Sequence, residues 1–343
     1  MRGNGSKTGF GLALGLVLAV LAPAAVLAQE ASAFYAGKSV SFVVGVSPGG
    51  GYDQYARLLA RHYARFVPGV PTIVVRNMPG AGSLSAVLYT RDVAPPDGLT
   101  VTTFNSGLLN ESISEGDKAK VRYDQFAWVG SLARDLRACL AWKTTHLRSL
   151  ADFNGRKQPV FGGAGPNSSS ANNVAMLRNL FDLDLRIISA YRGNTEMNLA
   201  LERGELDGVC ISWSSVPEDW IKNDRINILA RLSRAQTPEL SASVPFIGDL
   251  ATSQERRDVI DMLLLSGEIG RPFIVSKKVA ADRVDLLRKA FDDATQDRAL
   301  LAEAEKIGLS ITPVGGAEAE GIVTRLYAYP ETILEKARLA IKE

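Results

Sequence analysis

Histidine and cysteine are nearly missing from these 343 residues. There are two histidines, His62 and His146, and two cysteines, Cys139 and Cys210. That excludes zinc sites and most metal centres built on clustered Cys and His, because no such cluster occurs at ligand spacing. It also leaves little material for a His-dependent triad. A charge excess is missing too: 39 basic residues face 37 acidic ones. The two basic residues nearest the start, Arg2 and Lys7, lie in an apolar leader, and without residues 1–28 the count is 37 against 37. A neutral chain offers no electrostatic attraction to nucleic acid or an anionic membrane. Aromatic residues are few, at 7%, whereas glycine is frequent, at 31 residues.

The leader has the layout of a secretory signal peptide: a positive start, an apolar run from Phe10 to Leu27, then small residues, with cleavage expected after Ala28. The remaining chain of about 315 residues is long enough for two domains, and export to the periplasm is expected. In an oxidising compartment Cys139 and Cys210 are free to pair. Both sit in apolar, strand-like stretches, "RACLAW" and "DGVCISW", so a disulfide and two buried thiols both remain open.

"SVSFVVGV" at 39–46 reads as a buried strand, and Tyr55, Leu58, Leu59, His62 and Phe66 then recur at helical spacing. Arg57, Arg61 and Arg65 form an i, i+4 row that reads as a solvated face, and His62 reads as a packed core residue. "TIVVR", "LTVTTF", "RACLAWK", "QPVFGG", "LRIISAY", "GVCISW" and "INILARLS" continue the strands, with amphipathic segments between most of them. Two long amphipathic helices close the chain, over "ADRVDLLRKAFDDATQDRALLAEAEKIG" and "EAEGIVTRLYAYPETILEKARLAI". The alternation implies an α/β architecture of two units, each a mainly parallel sheet flanked by helices, with ligands bound beyond the carboxyl ends of the strands.

Three glycine-rich turns stand between a strand and a helix: "PGGGYD" at 48–53, "PGAGS" at 79–83 and "GAGPNSSS" at 163–170. A phosphate loop is not supported. Gly37-Lys38-Ser39 precedes its strand, and the dinucleotide pattern fails at Gln54 and again at Ser168. Gly45-Val46-Ser47-Pro48-Gly49 matches a nucleophile elbow in form. However, the residue after the serine must give its N–H to an oxyanion, and Pro48 has none. Anion capture by bare amides at helix N-termini remains, and three such turns in two lobes suit a carboxylate.

"SFVVGVSPGGGYDQYARLLARH", "TIVVRNMPGAGS", "APPDGLTV" and "YRGNTEMNLALERGELDG" together resemble the substrate-binding receptors of tripartite tricarboxylate transporters, the Bug receptors, over roughly residues 38–330. The resemblance implies a two-lobed periplasmic binding protein, type II-like, that is no enzyme and carries no metal or cofactor. It closes on a small organic acid and delivers it to membrane permease subunits, and a monomer is expected. The implied division is a signal peptide at 1–28, a first lobe at 34–132, a second at 133–246 and a return to the first at 247–343. The implied ligand contacts from the first lobe are Pro48, Gly49, Gly50, Gly51, Tyr52 and Asp53, with Gly80, Ala81, Gly82 and Ser83, and Asn105 beside them. Those from the second lobe are Gly165, Asn167, Ser168 and Ser169, with Tyr191, Arg192 and Gly193, while Asp207 is placed near the cleft. The chain departs from the family at "GVS" before the glycines, at Ser83 after "GAG", and in the loop after Gly165, where a histidine common in the family is missing. These positions face the implied pocket, so substrate identity does not carry over. Two other readings are a bilobal enzyme using Asp53, Asp207 and Arg192, and a periplasmic sensor subunit.

Overall fold

The first sheet is built around β1 (Ser39–Val44), whose Val40, Phe42, Val43 and Val44 are buried. The computed structural model describes residues 33–343 apart from 50, 154–157, 164–167, 192, 238–239 and 241. The leader and its cleavage site therefore lie outside the described residues. Among those described, no helix is long and apolar enough to cross a membrane.

Helix α1 (Gly51–Tyr63) carries the chain from β1 to β2 (Thr72–Asn77), and α2 (Leu84–Asp92) carries it on to β3 (Thr100–Thr103). Both β2 and β3 pair parallel with β1, as such crossover connections dictate. The face of α1 anticipated from spacing is buried at Tyr55, Leu58, Leu59 and His62. Beyond β3 comes α3 (Gly107–Glu115), then β4 (Phe126–Ser131). The sheet is completed by two later strands, β10 (Pro272–Ser276) and β11 (Val314–Gly315), in the order β11-β4-β10-β3-β1-β2.

The second sheet comprises β5 (Arg137–Trp142), β6 (Val160–Gly162), β7 (Arg186–Ile188), β8 (Gly208–Ser212) and β9 (Ile226–Arg231), in the order β7-β6-β8-β5-β9. Helices α4 (Ser169–Phe181) and α5 (Asn194–Glu202) join its parallel strands, and the short α6 (Glu218–Lys222) precedes β9. Cys139 and Cys210 lie opposite each other in the antiparallel β5–β8 ladder and are disulfide-bonded, closing a loop between positions 71 apart.

Both sheets are mixed, with four of the six strands of the first and four of the five of the second running one way, as the expected mainly parallel sheets require. In the first, β10 pairs antiparallel with β3 and β4, and β11 antiparallel with β4; in the second, β5 pairs antiparallel with β8 and β9. Helical crossovers produce the parallel pairs. β5 and β10, the strands on which the chain enters the second lobe and returns to the first, follow no such crossover and run against both of their neighbours. Local pattern marks no strand at 126–131 or 272–276. They pair across about 145 positions, and all eleven of their residues are buried, so neither shows the alternation of a half-exposed strand.

The return segment is part of the first lobe's core. Phe273 of β10 packs between Phe42 and Phe291, with ring centroids 5.8 and 6.1 Å away. Phe291 belongs to α8 (Ala281–Thr295), which also accepts a 2.7 Å hydrogen bond from the Tyr63 hydroxyl at the Leu287 carbonyl. Each such buried aromatic is worth about 2–3 kcal/mol of apolar transfer. The two long C-terminal helices are each divided. Asp297 starts α9 (Arg298–Lys306) by accepting from Leu300 N at 2.9 Å, and Pro330 separates α10 (Gly316–Tyr327) from α11 (Glu331–Ala340).

The arginine row and His62 do more than the sequence suggested. Arg61 and His62 both reach Glu303 at 2.6 Å, and Arg65 pairs with Asp297. Arg61 and Arg65 thus face α9 rather than water alone, Arg57 instead bonds Asp53 and Asn77, and His62 is hydrogen-bonded at the α1–α9 contact.

The two crossing segments lie side by side. Leu132 N donates to Arg271 O at 3.0 Å, Gly270 N to Ala133 O at 3.0 Å, and Asp135 N to Gly267 O at 2.7 Å. A Cβ on Gly270 would sit 2.8 Å from Asp135 N, so only glycine lets the segments approach this closely. Helix α7 (Gln254–Leu265) precedes this ribbon and packs on α11. The C-terminus then reaches across to the second lobe, where Asn179 of α4 donates to the carbonyls of Leu339, Ala340 and Lys342.

Candidate functional site

Five helices begin just beyond the carboxyl ends of parallel strands: α1, α2 and α3 after β1, β2 and β3, and α4 and α5 after β6 and β7. Each start presents unpaired N–H groups and a partial positive charge.

In the first lobe three turns are fastened together. Gly80, Ala81, Gly82 and Ser83 all have positive φ, at 150°, 43°, 63° and 92°. The two non-glycine residues are strained there, and tertiary contacts hold them. Ser83 is buried, and its Oγ accepts from Asn105 N at 3.1 Å. Gly45 lies against it, since a Cβ at Gly45 would fall 2.6 Å from Ser83 Cβ. Asn105 Oδ1 accepts from Gly107 N at 2.9 Å and from the Tyr52 hydroxyl at 3.3 Å, and that hydroxyl accepts from Ser106 N at 3.1 Å. Tyr52 thus ties the start of α1 to the start of α3.

Asp53 points inward and is 2% exposed. Its carboxylate accepts from Gly49 N at 2.8 Å, Arg57 Nε at 2.9 Å and Asn77 Nδ2 at 2.8 Å. Burial disfavours its ionisation, but the bonds from Arg57, Gly49 and Asn77 prevail and hold its pKa below the usual aspartate value. Its role is to shape the glycine loop. Gly49 adopts φ 85°, the left-handed conformation glycine tolerates, and Pro48, Gly49 and Gly51 are exposed.

A cavity of about 660 Å³ opens between the lobes. Gly82, Asn105 and Ser106 line it from the first lobe, Ser168 and Ser169 from the second, and Asp135 and Arg137 from the crossing segment. Ser168 caps α4 by accepting from Ala171 N at 3.2 Å. Asp135 is hydrogen-bonded by Arg137 Nε and by the Ser212 hydroxyl, each at 2.7 Å. Desolvation opposes its charge, but Arg137 foremost, then Ser212 and Arg271, keep its pKa low. The guanidinium of Arg271 lies over the Tyr52 ring, 4.7 Å from its centroid, and its buried Nε has no hydrogen-bond partner.

Of the residues anticipated from sequence, Gly82, Asn105, Ser168 and Ser169 line this cavity. Tyr52 and Ser83 bond to Asn105, which lines it. Pro48, Gly49, Gly51 and Ala81 sit on the adjoining turns, Tyr191 is half-buried, and Gly193 precedes α5 in extended backbone at φ 164°. Gly50, Gly165, Asn167 and Arg192 lie outside the described residues. Asp207 is a correction. It stands at the start of β8, at the strand end remote from the cavity, where its carboxylate accepts from Val160 N at 2.7 Å and its own N–H donates to Val160 O. Its carboxylate pairs strands. Local sequence pattern does not single out Ser106, Asp135 and Arg137, which line the cavity, or Arg271, which covers Tyr52, because they lie outside the glycine turns and come together only through packing.

Two mixed α/β sheets, crossed twice by the chain and enclosing a cavity at helix N-termini, define the fold of the two-lobed periplasmic solute-binding proteins. Solved structures agree. A TctC solute-binding protein from Polaromonas superposes with a TM-score of 0.73 at 18% identity, over 88% of this chain and 99% of that one. MatC from Rhodopseudomonas palustris, with bound malate, gives 0.57 at 19% identity over 89% and 99%. R. palustris Rpa4515, with adipate, gives 0.59 at 18% over 88% and 97%. No protein-family model matches the chain, and no curated protein matches it.

Proposed function

We propose that this protein is an exported receptor of the tripartite tricarboxylate transporter type, which binds a small organic acid between its lobes and presents it to a membrane permease. The observation that carries this reading is the convergence of helix N-termini from both lobes on one cavity, with Asn105 and Ser106 on one wall and Ser168 and Ser169 on the other. A carboxylate there is held by neutral donors and helix dipoles, and only closure brings both walls onto it. The malate and adipate in two structures of the same fold support an acid as ligand.

A receptor rather than an enzyme is also supported by where the histidines stand: His62 is paired with Glu303 and His146 is exposed, and neither lines the cavity. In this reading the turns at Pro48 to Asp53 and Gly80 to Ser83 complete the binding surface together with Tyr191 and with Gly165, Asn167 and Arg192, which lie outside the described residues. The lobes divide near residues 132 and 246.

The test is a calorimetric screen of organic acids against the purified protein, with the matching amides and methyl esters as controls. Binding of acids and not of their esters is expected. Equal binding of an acid and its ester would remove the carboxylate from the reading.

A further inference from the structure

The cavity does not end at the helix N-termini. It continues between α3, α4, α7 and α11, and its character changes on the way. Along α4 it is lined by Ser169, then Asn173, then Met176. These are one helical face, and Met176 lies about 10 Å along the axis from Ser169. The inner wall holds Ile113, Met176, Met262, Leu264 and Leu334; the first three are 3%, 1% and 2% exposed. Charge returns only at Glu111 and Glu115, which are exposed, and Arg338, which is held by Glu331. The whole space of about 660 Å³ equals the room of about 20 waters. A diacid the size of malate leaves most of it empty.

Midway, two polar atoms are buried without partners: Asn110 Oδ1 on α3 and Asn173 Nδ2 on α4. Asn173 is 8% exposed and lines the cavity. A buried unsatisfied amide is costly, so each points to a group that arrives with a ligand. One is an acceptor from the first lobe and the other a donor from the second. A hydroxyl serves both, because it donates and accepts.

Resting on the receptor reading above, we propose that the ligand is a medium-chain hydroxy acid. Its carboxylate sits at the starts of α3 and α4, its hydroxyl between Asn110 and Asn173, and its apolar tail against Met176, Met262 and Leu334.

The experiment is calorimetric titration of wild type with butanoate, hexanoate, octanoate, 3-hydroxyoctanoate and succinate. The titrations are repeated on Asn173→Leu and on Met176→Trp, which fills the chamber. The expected result is affinity rising about fourfold per buried methylene, and a further gain from the 3-hydroxyl that disappears in Asn173→Leu. Met176→Trp should weaken octanoate far more than butanoate. If short acids bind and affinity is flat or falling with chain length, the chamber proposal fails while the carboxylate receptor stands. If no acid of any length binds, both fail. A hydroxyl gain that persists in Asn173→Leu removes Asn173 and overturns the hydroxyl part. The wild-type series decides the tail even if Met176→Trp does not fold.

Discussion

Replacing Asp53 by asparagine separates a residue that shapes the loop from one that touches ligand. The carboxylate is 3% exposed and accepts from Gly49 N, Asn77 Nδ2 and Arg57 Nε. A hydrogen bond to a buried charged acceptor contributes about 1.5–3 kcal/mol. The Arg57 share is discounted to well under 1 kcal/mol, because that guanidinium is 42% exposed and screened by water. Asparagine keeps one acceptor oxygen and turns an NH₂ toward the remaining donors, so about 3 kcal/mol of stability should be lost at pH 7. The pH dependence has a definite sign. The folded-state pKa of Asp53 is lowered, so its contribution is full above the unfolded value of about 3.9 and is lost as pH falls through the lower folded value. Urea denaturation of both proteins from pH 7 downward should show a constant gap above about pH 5 that narrows below about pH 4. Calorimetry on the same samples should show weakened acid binding, because the turn before α1 is no longer held. A variant as stable as wild type at pH 7 that has nonetheless lost its ligand would refute this reasoning and return the carboxylate to the binding surface.

Three further outcomes follow from the same structure. Cys139→Ala/Cys210→Ala should lose about 4 kcal/mol by chain entropy for a loop between positions 71 apart, read as a fall in Tm on the order of 10 °C; alkylation of unreduced wild type should add no mass, and two labelled thiols would contradict the bond. Gly270→Ala places a Cβ 2.8 Å from Asp135 N and 3.0 Å from Ala133 O, which should cost about 1–3 kcal/mol and alter the compaction expected on ligand binding, to be read by small-angle scattering; an unchanged profile and Tm would mean the crossing ribbon gives way freely. Asn179→Ala removes three bonds to the carbonyls ending the last helix, so amide exchange over 331–340 should accelerate while the exchange of β1 and β10 is unaltered, and equal protection in the variant would show that apolar packing alone holds that helix.

Local pattern carried much of the architecture. The buried face of α1, the strands at 39–44 and 208–212, and the turns before α1, α2 and α4 were legible because their spacing and their glycines act within about ten residues. The sequence also bounded the chemistry, since two histidines and no Cys–His cluster leave little for a catalytic or metal site. What it left open was each question of partnership. Pairing or burial of Cys139 and Cys210 was undecided until the β5–β8 register set them opposite each other. Asp53 and Asp207 looked alike as carboxylates near turns, yet one serves Gly49, Arg57 and Asn77 and the other Val160. His62 found Glu303, 241 positions away. The inner chamber takes its walls from four helices spread between residues 107 and 340. Periodicity determines which face of an element is apolar. Which face it meets depends on how distant segments compete for the same buried surface, and only the packed chain decides that.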